Sequence, residues 1–196
     1  MSGLVRNSTP TDTDIVSLSD LKTFMRVDGS DEDTLIAVLF TAARQMVEKY
    51  TNVSMSDTAS NYTLTLDEWP DDGVIRLSVG PVTAVASVKY YDSDDVQQTM
   101  VVDTDYYASL KRKPGEIVMV NTPNVKNKPD AIEVIFTAGY DEASVPETLV
   151  QAIQMITLNL YERRGDGQAN NAIITTFPMP FQIQALMDTE KLGGYG

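Results

Sequence analysis

The residues best placed to do chemistry in this chain are two runs of carboxylates, Asp28, Asp31, Glu32 and Asp33, and then Asp92, Asp94 and Asp95. Clustered carboxylate oxygens are what a calcium ion takes, about six to eight at a time. The first run lacks the oxygen spacing and the closing glutamate of a calcium loop, and it stands just ahead of an apolar helical repeat, so helix capping accounts for it. The second lies between Tyr91 and Val96, where a tight hairpin turn needs such residues. The basic run Lys111, Arg112 and Lys113 could meet phosphates, but it is isolated in an acidic chain. It reads as a solvated hairpin tip or as a salt-bridging loop between subunits. Arg163 and Arg164 close an apolar helical stretch, where cations complement the helix dipole and remain available to a partner.

The missing residue types narrow the chemistry further. The chain has no histidine and no cysteine, which removes the commonest general base, the commonest zinc ligands, thiolate nucleophiles and every Ser-His or Cys-His relay. No glycine-rich phosphate loop stands at a strand-to-helix junction, and no serine and lysine are spaced so as to mark a Ser-Lys pair. We therefore expect no enzyme activity, no cofactor and no metal. With 28 acidic against 15 basic residues the formal net charge is -13, which disfavours binding nucleic acid through its phosphates. An acidic channel wall would instead let a duplex slide without sticking. No apolar run approaches the length of a membrane span, and residues 1–14 contain no apolar signal core, so a cytoplasmic origin without membrane contact is expected.

The elements that carry these residues follow from periodicity. Residues 1–14 are polar and read as a mobile arm, or one ordered only by a neighbour. Ser17 and Asp20 have capping-box spacing ahead of Leu18, Leu21 and Met25, which predicts a helix over about 17–28. Ser30 and Asp33 repeat the pattern before a helix over about 30–51, whose stripe Leu35, Leu39, Ala42, Ala43, Met46 and Tyr50 is widened by Ile36, Phe40 and Val47. So wide a stripe needs burial on more than one side; Arg44, Glu48 and Lys49 are read at its edges. From about 61 to 140 alternation takes over, in Tyr62, Leu64 and Leu66, in Val85, Val88 and Tyr90, and in Ile132, Val134 and Phe136. Short turns rich in Pro, Gly and Asp punctuate it, which predicts antiparallel strands. Ser144 and Glu147 then cap a helix over about 144–164 carrying Leu149, Ile153, Ile156 and Leu160.

The expected class is thus α+β: a small helical bundle with an inserted antiparallel β region, forming one domain over 15–164, and an extended C-terminal tail over 165–196. The tail is apolar and broken by prolines: Phe177, Pro178, Met179, Pro180, Phe181, Ile183, Leu186 and Met187. It either folds back over its own bundle or docks on another protein, with the large side chains as anchors.

Read in order, Val16-Ser-Leu-Ser-Asp-Leu-Lys, Met25-Arg-Val-Asp-Gly-Ser-Asp-Glu-Asp, Ala42-Ala-Arg and Glu48-Lys-Tyr-Thr resemble the opening of phage head-tail connector (adaptor) proteins. Leu66-Asp-Glu-Trp-Pro, Gly80-Pro-Val, Val88-Lys-Tyr-Tyr-Asp, Phe136-Thr-Ala-Gly-Tyr, Val145-Pro-Glu and Leu160-Tyr-Glu-Arg-Arg continue the resemblance in the same order, over about residues 15–190. The resemblance implies a structural subunit of a tailed-phage virion neck, in a ring of about twelve copies under the portal protein. It further implies that DNA passes through the lumen and that a stopper, tail-terminator or tail component lies below. The portal-docking role falls on Phe177 to Met187, where a Pro-Phe pair followed by Ala-Leu matches the family's pattern. The end departs from it: relatives often close on a basic residue after an aromatic, whereas here Asp188, Glu190 and Lys191 precede Leu192-Gly-Gly-Tyr-Gly. The rival reading from another class is a β-rich, calcium-dependent carbohydrate-binding or adhesin module, with the helices as support.

Overall fold

The computed structural model describes residues 2–7, 15–55, 62–141, 144–163 and 180–193. It is α+β, and it divides into two compact units. A helical unit comprises Thr11–Thr51 and Glu142–Lys191, and a β unit comprises Met1–Pro10, Asn52–Asp141 and Leu192–Gly196. The β region has two sheets of its own and a core between them.

In the helical unit, α1 (Leu18–Met25) begins as its sequence dictates: Ser17 Oγ accepts from the Asp20 backbone N–H at 3.1 Å. Replacing Ser17 by Ala should cost the unit about 1 kcal/mol, read as a shift in its thermal midpoint; no shift would show that the cap contributes nothing. The second helix, α2 (Asp33–Thr51), starts two residues later than the box at Ser30 predicts. Ser30 forms only a turn, its carbonyl accepting from Asp33 N–H at 3.3 Å, and Glu32 C=O accepts the first helical bond, from Ile36. The third, α3 (Glu147–Glu162), begins directly after Pro146, which has no donor to lose. A fourth helix, α4 (Phe181–Asp188), follows Pro180. Helix α2 packs along α3, α4 packs on α3 and α2, and α1 touches both α2 and α3. Leu21, Ile36, Ala43, Val47, Leu149, Ile153 and Met187 are fully buried in this unit. Arg44, read at the edge of the α2 stripe, is buried too, with Nη1 2.9 Å from Glu48 Oε2.

In the β unit the polar N-terminal segment makes a strand, β1 (Ser2–Arg6), where an arm is expected. It pairs antiparallel with β2 (Tyr62–Leu66), Leu4 opposite Leu64. Leu4 and Val5 stay exposed, so the backbone ladder rather than apolar burial holds the strand, and composition could not announce it. The remaining strands are β3 (Val74–Leu77), β4 (Val82–Tyr91), β5 (Gln97–Thr99), β6 (Tyr106–Ser109), β7 (Gly115–Met119) and β8 (Ile132–Ala138). Five form one antiparallel sheet in the order β1-β2-β8-β4-β5, and three form another in the order β3-β7-β6. Strand β8 is central, and its alternate residues Ile132, Val134 and Phe136 are wholly buried. Phe136 lies opposite Tyr62, their rings stacked with centroids 5.6 Å apart. Leu64, Val88, Val134 and Phe136 of the large sheet meet Ile75, Leu77, Tyr106 and Ile117 of the small one, so the core lies between the sheets. Two register shifts in β4, between Val82 and Ala84 and between Val85 and Ser87, bulge that strand against β8.

Candidate functional site

The acidic run of the helical unit binds the bundle together rather than a ligand. Lys22 Nζ of α1 sits 2.6 Å from Asp33 Oδ1 and also donates to the Gly29 carbonyl, closing the α1-to-α2 turn. The Tyr161 hydroxyl of α3 donates to Glu32 Oε2. Two carboxylates expected to cap α2 are thus spent on its neighbours, which fits the later start of that helix.

At the β4–β5 turn, Asp92 works as the turn reading requires. Its Oδ1 accepts from the backbone N–H groups of Asp94 and Val96, both at 3.0 Å, and its Oδ2 accepts from Gln98 Nε2 at 2.8 Å. Asp95 is bracketed by Lys128 Nζ at 2.8 Å and Lys126 Nζ at 3.2 Å. Carboxylate oxygens so engaged are a poor calcium cage, and among the described residues no acidic group assembles into one. The bond from Gln98, followed by the backbone donors, lowers the Asp92 carboxyl below its ordinary range. A lowered folded-state pKa stabilises the turn above the unfolded-state value and loses that contribution as pH falls through the folded one. Nuclear magnetic resonance titration should therefore find Asp92 protonating below an ordinary aspartate, with the protection of the Asp94 and Val96 amides, relative to intrinsic exchange, falling through the same transition. An ordinary midpoint would count against the turn as described.

Lys111, Arg112 and Lys113 occupy the exposed tip of the β6–β7 hairpin, since Ser109 pairs with Glu116 across it. Arg112 Nη1 donates back to Glu116 Oε2. Among the described residues, Lys111 and Lys113 have no ion-pair partner. Arg163 caps the C-terminus of α3, its backbone N–H directed to the Asn159 carbonyl, and is exposed; Arg164 lies outside the described residues.

The C-terminal segment is where sequence and structure diverge most. Phe177, Pro178 and Met179 lie outside the described residues. From Phe181 the chain is helical, and Ile183 and Met187, one turn apart, are fully buried in the bundle, with Leu186 half-buried. These three, read as docking anchors, are occupied by their own unit in this structure. Their i, i+4 spacing after a proline was the available signal for a helix. Polar contacts fix the same helix from outside: Tyr50 Oη donates to Asp188 Oδ1 at 2.7 Å and accepts from Gln184 Nε2 at 3.2 Å. Lys191 Nζ stands 4.6 Å from the Tyr50 ring centroid. Phe181 is different: it is 83% exposed at the start of a helix held in place by Ile183 and Met187. Pro180 before it is exposed as well.

A second unpartnered apolar surface runs along α2. Leu35, Val38 and Met46 are each more than a third exposed, and with half-buried Leu39 and Ala42 they share one face, away from Ile36, Phe40 and Val47. This is the outer half of the wide stripe that the sequence says must be buried on two sides. No described helix is long and apolar enough to cross a membrane.

Comparison with known proteins gives the family. The family described as Head completion protein matches residues 14–187. Comparison with curated proteins finds no match. Among solved structures, a chain from the neck of an empty gene transfer agent (GTA) particle, computed with C6 symmetry, superposes with a TM-score of 0.75 at 18% identity, covering 99% of this chain and 100% of that one. A chain from the neck of the native GTA particle, computed with C12 symmetry, gives a TM-score of 0.69 at 19% identity, with 99% and 100% covered. One from the virion of the native GTA particle gives 0.73 at 20% identity, with 96% and 95% covered. The family match runs through both units, from before α1 to the last buried residue of α4, and the chain belongs to the head completion protein family.

Proposed function

We propose that the chain is a head-tail connector subunit that forms a ring of copies beneath the portal, joins the DNA-filled head to the next neck or tail component, and does no chemistry. The observation that carries this reading is likeness over nearly the whole chain to a neck component resolved with C12 symmetry. Closed rings of identical chains use two different faces per copy. The exposed α2 stripe, Leu35, Val38 and Met46, supports side-by-side packing through helices. A formal net charge of -13 supports a lumen along which DNA slides without binding. Copies made in the host cytoplasm join the portal after packaging.

The portal contact falls on the segment from Phe177 to Phe181. Buried Ile183 and Met187 give it a rigid mount, and exposed Phe181 and Pro180 present its end. A chain cut at Gly167 would be a poor test, because it would strip α4 from the bundle along with the segment. Co-sedimentation with portal rings from the same genome should instead compare the intact chain with Phe177→Ala/Phe181→Ala. Binding lost in the variant, with its helix content unchanged, is the expected result. Equal binding would move the portal interface elsewhere on the chain.

A further inference from the structure

The three-stranded sheet of the β unit is polar in the electrostatic sense, with opposite charges at its two ends. Strands β3 and β7 pair so that Val74 faces Val118 and Leu77 faces Gly115; β6 and β7 pair so that Tyr106 faces Met119 and Ser109 faces Glu116. The hairpin tip with Lys111 and Lys113 therefore lies at the Leu77 and Gly115 end. The loops leading into β3 and β6 both lie at the other end, where Met119 N–H donates to the Gly73 carbonyl at 2.9 Å and Val120 N–H to the Asp105 carbonyl at 2.8 Å. Those loops carry Glu68, Asp71 and Asp103, all exposed and, among the described residues, without an ion-pair partner, as are the two lysines at the opposite end.

Between the charged ends the outward face of the sheet carries an apolar patch beside the cross-strand row of Arg76 and Glu116, which are paired with Asp72 and Arg112. Tyr107 and Val118 are cross-strand partners, 54% and 37% exposed, and Val120 beyond them is 49% exposed. The inward residues of the same strands, Tyr106, Ile117 and Ile75, are all buried in the core, so this face is a second apolar surface and not a gap in the first.

We propose that this sheet is a contact between neighbouring copies of the chain, in which the Lys111 and Lys113 tip of one copy meets the Glu68, Asp71 and Asp103 loops of the next, beside the Tyr107 and Val118 face. The occupant is a second copy because the charges complement each other head to tail. Such a pairing is heterologous and repeats around a ring instead of closing on itself as a two-fold dimer. It also relieves the repulsion that a net charge of -13 imposes on any ring of this chain, by placing its unpaired cations against its unpaired carboxylates. The proposal rests on the neck-ring reading above and adds a residue-level contact to it.

The test uses assembled particles, and the absence of native cysteine makes every introduced thiol unique. Particles are made with the full chain carrying Lys113→Cys together with Asp71→Cys, and in parallel with either substitution alone, then treated with a short bis-maleimide. The double variant should give a ladder of covalent multimers of this chain, and the single variants should not. In a second arm, Lys111→Glu/Lys113→Glu should lose incorporation, and adding Asp71→Lys/Asp103→Lys should restore it. Normal incorporation of the double-cysteine chain without multimers, or normal incorporation of the glutamate variant, would overturn this contact and leave the neck reading standing. Absence of the unsubstituted chain from purified particles would overturn both.

Discussion

Phe136→Ala should lower the stability of the β unit by about 3–5 kcal/mol, the cost of emptying an aromatic site in a packed core. That is a large share of the roughly 5–15 kcal/mol that holds a typical domain folded. The expectation rests on position: Phe136 lies on the central strand β8, is wholly buried, stacks on Tyr62 and helps fill the space between the two sheets. The chain's single tryptophan reports on the right unit, because Trp69 Nε1 donates to the Pro123 carbonyl at 2.8 Å and its ring meets Tyr90 edge-on. Urea unfolding followed by Trp69 fluorescence should show the midpoint fall steeply in the variant. A loss under about 1 kcal/mol would mean that the sheets do not pack through Phe136.

Arg44→Ala should be equally costly to the helical unit, by about 3–5 kcal/mol, because it breaks a buried ion pair. Arg44 is 1% exposed, and Glu48, its partner at 2.9 Å, has only 10% of its side chain exposed. Replacing both members by Arg44→Met/Glu48→Leu should recover most of the loss, since apolar side chains of similar volume need no compensating charge. Thermal unfolding followed by far-ultraviolet circular dichroism of both variants would decide the matter. If the double replacement were as damaging as the single one, the pair would be needed for itself and not merely for mutual compensation.

Arg44 also shows where sequence reading stops. Helical periodicity assigned faces to α2 correctly for Ile36, Phe40 and Val47, but it set a charged residue at the rim by default. The partner that permits burial, one turn along, becomes visible only with the packing. Local signals fared well where one residue settles a local structure: Ser17 caps α1, Asp92 makes its turn, and the alternation of Tyr62 and Leu64 and of Ile132, Val134 and Phe136 gives strands with those residues inward. Alternation fixes a strand's faces but not its neighbours, so the division of the strands into two sheets, and hence a separate β unit, was not legible. The strand at Ser2–Arg6 escaped because it is held through its backbone. In the C-terminal segment the prolines argued for an irregular tail, yet Pro180 directly precedes a helix that buries Ile183 and Met187. The apolar anchors thus divide between a bundle element and exposed Phe181, a distinction set by what surrounds them and not by their composition.

The resemblance carried by short motifs in order, from Val16 to Arg164, reached the family without any single diagnostic residue. If the chain works as the proposed ring component, this is expected, because such a function lies in surfaces spread along the chain. The charged tip at Lys111 and Lys113 was visible as a run; its acidic counterpart was not, since Glu68, Asp71 and Asp103 come together only through the β3-β7-β6 register.

The most direct test of the account is electron cryomicroscopy of purified particles, reconstructed at the neck without imposed symmetry. The account predicts density for both units of this chain, repeated as a closed ring around the DNA channel between the portal and the next component. A neck filled by other chains, or this chain found only elsewhere in the particle, would contradict it.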